Sequence, residues 1–225
     1  MIDLAGDPEG MASPPPTAGG GASSSPAKVA ATPAHASSVP PVPSVPPVSI
    51  DVPALARYCI RHAVHECGME PHGIHGAGHW ARVMENGLRL ASRTHANPRV
   101  IQAFAVLHDC CRLHDGTDPE HGPRAAEFAA TVPRSILPLT AAELAFLAEA
   151  CTDHARGWVH ADVTVMTCWD ADRLDLGRVG TRPDPERLCT GAAREPDMIR
   201  WAHDRALEEH VPSMAAYDWN LDDFG

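Results

Sequence analysis

Apolar residues recur at helical spacing through most of the chain from residue 51 onward. Together with helix-starting signals, this spacing predicts helices at about 52–67, 79–92, 99–113, 120–131, 141–154 and 197–210. A further segment, 163–176, has strand character in its first four residues and helical character from residue 170 onward, so its type stays open. No internal repeat is visible, and the pattern predicts an all-α bundle of six to eight helices.

The segment 99–113 is mostly apolar until it reaches the doublet His108-Asp109. A buried imidazole and carboxylate in such a helix lose solvation free energy unless something pairs with them. A divalent metal ion is the simplest partner, because imidazole nitrogens and carboxylate oxygens are common ligands of catalytic metals. The doublet therefore marks a candidate metal site.

The composition divides the chain into three parts. Residues 1–50 are rich in Pro, Ala, Ser and Gly and offer few large side chains to bury, so we expect a disordered segment. Its Pro43–Pro46 stretch fits a PxxP pattern, with a simple tether as the alternative. Residues 51–212 form the predicted helical domain, and residues 213–225 are an acidic, aromatic tail that docks on the body or on a partner.

Charge and cysteine content narrow the possible functions. The formal net charge of −11 over 225 residues argues against a nucleic acid polymer as the partner. The seven cysteines have no CxxC spacing, which favours reduced thiols over a disulfide framework. No run of 18 apolar residues and no secretory signal pattern is visible, so we expect a cytoplasmic protein without membrane contacts. Phosphate-loop, dinucleotide-binding, nucleophile-elbow and HExxH motifs are also absent from the sequence.

Candidate metal ligands lie on three of the predicted helices. His79 begins one of them, the His108-Asp109 doublet lies on the next, and Asp172 lies on a late one. Metal sites in helical bundles take ligands from the inward faces of several helices. Because these donors are nitrogen and oxygen atoms, they suit Mn, Fe, Ni, Co or Mg better than a structural zinc ion.

Three motifs carry a resemblance to a known family. His79-Trp80, the His108-Asp109 doublet and the segment 170–175 resemble, in order and helical context, the HD-domain superfamily of metal-dependent phosphohydrolases, over roughly residues 55–180. Asp170, Asp172 and Asp175 are all candidates for the last ligand. Members commonly have an Ala-Asp step before a leucine-containing turn, which selects Asp172, with Asp170 as the runner-up. The resemblance implies an HD-like helical bundle in which one metal ion is bound by His79, His108, Asp109 and Asp172.

Two further histidines extend the resemblance. Superfamily members that bind two metal ions have one additional histidine after the doublet and another before the last aspartate. His121 and His154 occupy those places in this chain. The resemblance therefore implies one or two divalent ions per chain. The alternative is that His121 caps a helix and His154 is a polar surface residue.

The residues after the doublet are candidates for substrate binding and catalysis. Arg112 and His114 would hold a phosphate, because the planar guanidinium group matches phosphate oxygens, or they offset the dipole at a helix end. His114 and Asp118 would orient the nucleophile or the leaving group. Arg124 and Arg173 complete the substrate-binding set, with exposure to solvent as the alternative for Arg124. Arg173 has an alternative role as the ion-pair partner of an aspartate. The predicted catalytic set is thus Asp109, Arg112, His114 and Asp118.

The resulting hypothesis is a metal-dependent phosphohydrolase acting on a small phosphorylated molecule, such as a nucleotide. A second hypothesis is a di-iron oxygenase on the same helical frame, which needs His121 and His154 as ligands. A third is a non-catalytic binding module braced by a metal ion. The sequence indicates no particular oligomeric state.

Overall fold

The computed structural model describes residues 48–157 and 159–223. The predicted PxxP pattern and residues 1–47 lie outside this description. Within the described residues the structure is all-helical, as the hydrophobic pattern predicts. The α-helices are α1 (Val52–Cys67), α2 (Ala77–Thr94), α3 (Pro98–Leu107), α4 (His121–Thr131), α5 (Ala141–Asp153), α6 (Val163–Arg173) and α7 (Pro196–Leu207). Short 3₁₀ and π segments follow α6 and α7.

Helix α1 has the bounds that its end signals predict. The carboxylate of Asp51 accepts a hydrogen bond from the backbone N–H of Ala54 at 3.0 Å, and Pro53 occupies the first turn. The helix ends at Gly68, whose φ of 69° is left-handed and whose N–H donates to the carbonyl oxygen of Ala63. Ile50, which precedes the predicted domain boundary, is buried, so the folded body includes the end of the segment predicted to be disordered.

Helix α3 is the centre of the bundle. Seven of its ten residues are buried, and it packs against α1, α2, α4, α5 and α6. A helix that is apolar over most of its surface has to lie inside the fold, because most of that surface is stabilised by burial. The residues that follow its last turn are therefore delivered to the interior of the protein.

The prediction that this helix extends to residue 113 is wrong, since α3 ends at Leu107. From Cys110 onward the backbone forms tighter turns, with the N–H of Arg112 donating to the carbonyl oxygen of Asp109 at 3.1 Å. The N–H of Leu113 donates to the Asp118 carboxylate at 3.1 Å instead of to a helical carbonyl. The His108-Asp109 doublet thus lies in the turn after the helix.

The segment that begins at residue 163, for which the sequence left helix and strand open, is helical. In α6 the carboxylate of Asp162 caps the first turn by accepting from the N–H of Thr164 at 2.7 Å. Val165 is fully buried against the main core, so packing outweighs the β preference of the first residues. The helix ends at Arg173, three residues earlier than predicted, and α7 ends at Leu207 instead of residue 210.

The C-terminal segment packs on the body of the same chain. Trp219 is fully buried and belongs to the same apolar core as α1 to α6. The carbonyl oxygen of Asp218 accepts from the Arg57 side chain on α1 at 2.8 Å. The acidic tail of the sequence analysis is therefore part of the folded body as far as residue 223.

All seven cysteines are free thiols, and five of them are buried, as expected for reduced cysteines in apolar helices. Of the helices that the structure describes, none is both long enough and apolar enough to span a membrane.

Glu143 connects the start of α5 to α3. Its side chain accepts from the backbone N–H of Thr140 at 2.8 Å in a capping box. It also accepts from Arg99 at 2.8 Å and from Asn97 at 3.1 Å. Burial raises the pKa of this carboxyl, but these donors outweigh burial and lower the pKa from 4.5 to about 2.

We expect Glu143→Gln to lower the free energy of unfolding at pH 7 by about 1–2 kcal/mol. Because the pKa is lower in the folded state, the carboxylate stabilises the fold above pH 4.5 and this contribution disappears as the pH falls towards 2. Urea unfolding at pH 7 and at about pH 3 should therefore show a smaller difference from wild type at the lower pH. The exposed Glu208→Gln is the matched control. A difference that does not depend on pH would contradict this role of the carboxylate.

Candidate metal centre

His79 on α2 and His108, directly after α3, are oriented so that their Nε2 lone pairs face each other. The Nδ1 atom of His79 donates to the Asp175 carboxylate at 2.7 Å, and Nδ1 of His108 donates to the carbonyl oxygen of Phe104 at 3.2 Å. Since these partners only accept, the protons are on Nδ1 and the lone pairs are on Nε2. The two Nε2 atoms lie 3.1 Å apart. Two lone pairs at that separation repel each other unless a cation lies between them.

A second pair of histidines has the same arrangement. Nδ1 of His154 donates to the carbonyl oxygen of Cys151 at 2.8 Å, and Nδ1 of His121 donates to that of Asp118. Their Nε2 atoms lie 2.8 Å apart. Gly122 allows this approach of α4 to the end of α5, because a Cβ atom there would lie 2.4 Å from the Cys151 carbonyl oxygen.

Asp109 lies between the two pairs and directs one oxygen towards each. Its Oδ2 is 3.6 Å from Nε2 of both His79 and His108. Its Oδ1 is 3.2 Å from Nε2 of His121 and 3.5 Å from Nε2 of His154. Oδ1 is buried and accepts no hydrogen bond from the described residues. A buried carboxylate oxygen without a donor indicates a position for a cation.

Of the two late aspartates, the structure brings Asp172 to this cluster. Its Oδ1 lies 3.4 Å from Nε2 of His79 and 3.9 Å from Nε2 of His108, and it is also buried without a donor in the described residues. The runner-up Asp170 points elsewhere and accepts from the N–H and the hydroxyl of Thr190 at 2.8 and 2.7 Å. Residues two apart on a helix face different directions, which separates the two carboxylates.

The geometry fits divalent metal ions. Metal–ligand bonds of about 2.0–2.2 Å at angles of 90–109° place neighbouring ligand atoms about 2.8–3.6 Å apart. The separations given above for two groups of three residues fall in this range. The two groups share one member and are His79, His108 and Asp109, and Asp109, His121 and His154.

The ionisation states are also suitable for metal binding. Burial lowers the pKa of His108 to about 3, so this imidazole is neutral at pH 7. Burial alone would raise the pKa of Asp109, but the surrounding histidines lower it well below its usual range. Burial lowers the pKa of His154, while the hydrogen bond and the charge of Asp109 outweigh burial and raise it. A metal ion in the second group therefore competes with a proton.

Behind His79 lies a buried ion pair that sequence reasoning missed. Arg82 donates to Asp175 from Nε at 2.7 Å and from a terminal nitrogen at 3.1 Å. Asp175 in turn fixes the ring of His79, an arrangement that is common behind metal-binding histidines. The signal for Arg82 was its position three residues after His79, on the same face of α2.

Two arginines border the cluster and have unused donors. A terminal nitrogen of Arg112 is 3.1 Å from each ring nitrogen of His121 and 3.5 Å from Oδ1 of Asp109. Arg178 lies 3.6 Å from Oδ1 of Asp172. The Nε atom of each arginine is buried and has no acceptor among the described residues. Positive charge with free N–H groups at this margin suits an anionic ligand.

Asp118 and Arg124, both predicted to act on substrate, instead hold the loop after the doublet. Asp118 accepts from the N–H of Leu113 and pairs with Arg124. Arg124 also donates from Nε to the carbonyl oxygen of Cys111 at 3.1 Å. Both side chains thus form their hydrogen bonds with this loop, and these bonds fix the turn that carries the doublet.

The remaining predicted residues lie away from the donor cluster. His114 is exposed in the loop after the doublet. Arg173 donates to the carbonyl oxygen of Gly157 and contacts Sγ of Cys189 at 3.3 Å. It follows Asp172 by one residue, and the rotation of about 100° per residue directs it away from the ligand face.

Comparisons with known proteins gave a structural match and no sequence match. The chain matches no protein-family model and no curated protein. It is similar to the crystal structure, at 1.45 Å resolution, of a predicted HD superfamily hydrolase from an uncultured Thermotogales bacterium. The sequence identity is 25%, the TM-score is 0.50, and the match covers 70% of this chain and 86% of that chain.

Proposed function

We propose that this chain, which has the HD-domain fold, is a metal-dependent phosphohydrolase acting on a small phosphorylated molecule. One observation carries the proposal. Four imidazoles have their Nδ1 protons committed to oxygen acceptors, and their Nε2 lone pairs converge on the two oxygens of one buried carboxylate. Such a set of donors is unfavourable without cations and favourable with them.

The chain's residues would hold two divalent ions. The first would be bound by His79, His108, Asp109 and Asp172, and the second by Asp109, His121 and His154. Ions at these positions supply an activated water molecule and polarise a phosphoryl oxygen. Asp109 contributes one oxygen to each group and thereby fixes the distance between them.

Arg112 and Arg178 would bind the phosphoryl group of the substrate. Both lie at the margin of the cluster, and both have a buried Nε–H without an acceptor in the described residues. Guanidinium groups bind phosphate oxygens through paired N–H donors, so these arginines offset the acidic net charge locally. This favours an anionic, phosphorylated substrate.

Metal analysis combined with a phosphoester panel tests the proposal. We expect wild-type protein loaded with Mn²⁺ to hold two ions per chain and to hydrolyse simple phosphate esters. We expect His154→Ala to hold one ion and to lose activity by roughly tenfold or more, because one ligand of the second group is removed. His160→Ala is the matched control, since that imidazole pairs with Glu149 outside the cluster.

Three results would contradict the proposal or part of it. Two bound irons with oxygen consumption and no ester hydrolysis would favour the di-iron oxygenase. Metal binding without turnover of any ester would favour a binding module braced by metal. Two ions retained in His154→Ala would contradict the second group of ligands.

A further inference from the structure

A second cluster of metal-binding side chains lies where α1 meets the loop after the doublet. Nε2 of His62 is 3.8 Å from Sγ of Cys67 and 3.5 Å from Sγ of Cys111. All three donor atoms lie within 4.8 Å of one another. None of these residues belongs to the phosphohydrolase centre proposed above.

The separations fit a tetrahedral ion. Zinc–sulfur bonds of about 2.3 Å and zinc–nitrogen bonds of about 2.0 Å, at the tetrahedral angle, place nitrogen and sulfur ligands about 3.5 Å apart. The observed distances of 3.5 and 3.8 Å are close to this value. The side chains therefore need little movement to surround one ion.

The imidazole is held in place by its neighbours. The ring of His62 stacks on Phe128 of α4, with centroids 3.8 Å apart and an angle of 14° between the planes. This contact fixes the ring plane while Nε2 faces the two sulfur atoms. Such fixed orientation is typical of metal-binding histidines and reduces the entropy lost on binding.

A cavity of about 420 Å³ adjoins the cluster. His62, Cys67 and Cys111 are part of its lining, and so are the carboxylates of Glu66 and Glu127. A small cation can therefore enter from this side, and a carboxylate or water is available as a fourth ligand. The lining contains these two carboxylates and one guanidinium group, that of Arg124. Its net charge is therefore negative, which favours a cation.

We propose that His62, Cys67 and Cys111 form a binding site for a thiophilic divalent cation of the zinc class. Thiolate sulfur selects such ions over Mg²⁺ or Mn²⁺, which the nitrogen and oxygen donors of the phosphohydrolase centre suit. An ion here links the end of α1 to the loop that follows Asp109.

Cobalt absorption of the full chain tests this site separately from hydrolysis. Thiolate-bound Co²⁺ gives a sulfur-to-metal charge-transfer band, whereas Co²⁺ on imidazole and carboxylate does not. We expect wild type to show the band and Zn²⁺ to abolish it. We expect Cys67→Ser to lose about half of it or more, with hydrolysis of phosphate esters unchanged. Cys189→Ser, a half-buried thiol outside the cluster, is the matched control and should retain the band.

A second variant keeps the test decisive if Cys67→Ser does not fold, as judged by circular dichroism. His62→Gln removes the imidazole at a half-buried position and should also weaken the band. Absence of the band in wild type would overturn the proposal, and so would a full band in a folded Cys67→Ser or His62→Gln. Loss of the band in Cys189→Ser would place the site elsewhere and overturn this assignment.

Discussion

Asp109→Ala will reduce hydrolysis of phosphate esters by about 10³-fold or more and will leave the chain without tightly bound metal. Asp109 is the one residue common to both groups of metal ligands among the described residues. Its removal therefore takes an oxygen from both ions at once. It also leaves His79 and His108 with the carboxylate of Asp172 alone, and His121 and His154 without the carboxylate of their group.

The measurement is metal content per chain together with kcat/KM for the best ester of the panel. Asp109→Asn removes the negative charge but keeps the size of the side chain. We expect it to lose most of the metal as well, because an amide oxygen is a weaker ligand. Asp153→Ala is the matched control, since this exposed carboxylate lies next to His154 but outside the cluster. If Asp109→Ala retained two ions or more than about a tenth of the activity, the shared-ligand arrangement would be wrong.

The periodicity of the chain predicted the helices well because most of them bury one apolar stripe. It failed at the end of α3, where the apolar pattern runs on but the helix stops at Leu107. After Leu107 the backbone turns more tightly, with the N–H of Cys110 donating to the carbonyl oxygen of Leu107 at 3.2 Å, and the Asp118 carboxylate accepts the N–H of Leu113 from five residues away. Such a side-chain contact has no periodic signature, so a pattern of apolar positions cannot locate it.

The sequence predicted the metal-binding residues of the site but not the residues that support them. The residues whose Nε2 and carboxylate atoms converge were all candidates in the sequence. The His108-Asp109 doublet stood out because of its apolar context, and the resemblance to HD-domain proteins implied His121, His154 and Asp172. Their supporting partners were not predicted. Arg82 and Asp175 are 93 residues apart in the chain, and Gly122 matters only through the close approach of α4 to α5. Contacts of this kind depend on tertiary packing.

The Arg82–Asp175 pair is a buried ion pair directly behind His79. Both side chains are almost fully buried, and two hydrogen bonds join them. Burial raises the pKa of Asp175, but His79 and Arg82 outweigh it and keep the pKa below its usual value of 3.8. Arg82 also donates to the carbonyl oxygen of His210 at 3.0 Å, which ties the segment after α7 to α2.

Arg82→Met should lower the free energy of unfolding by about 3–5 kcal/mol, because it leaves the buried carboxylate of Asp175 without its cation. Adding Asp175→Asn removes that charge, so the double variant should recover much of the lost stability while its metal affinity stays about 10–100-fold lower than in wild type. Urea unfolding and metal titration measure the two effects. Arg93→Met, in an exposed pair with Glu195, should leave the unfolding midpoint close to that of wild type. If the double variant were no more stable than Arg82→Met, the uncompensated charge would not be the cause.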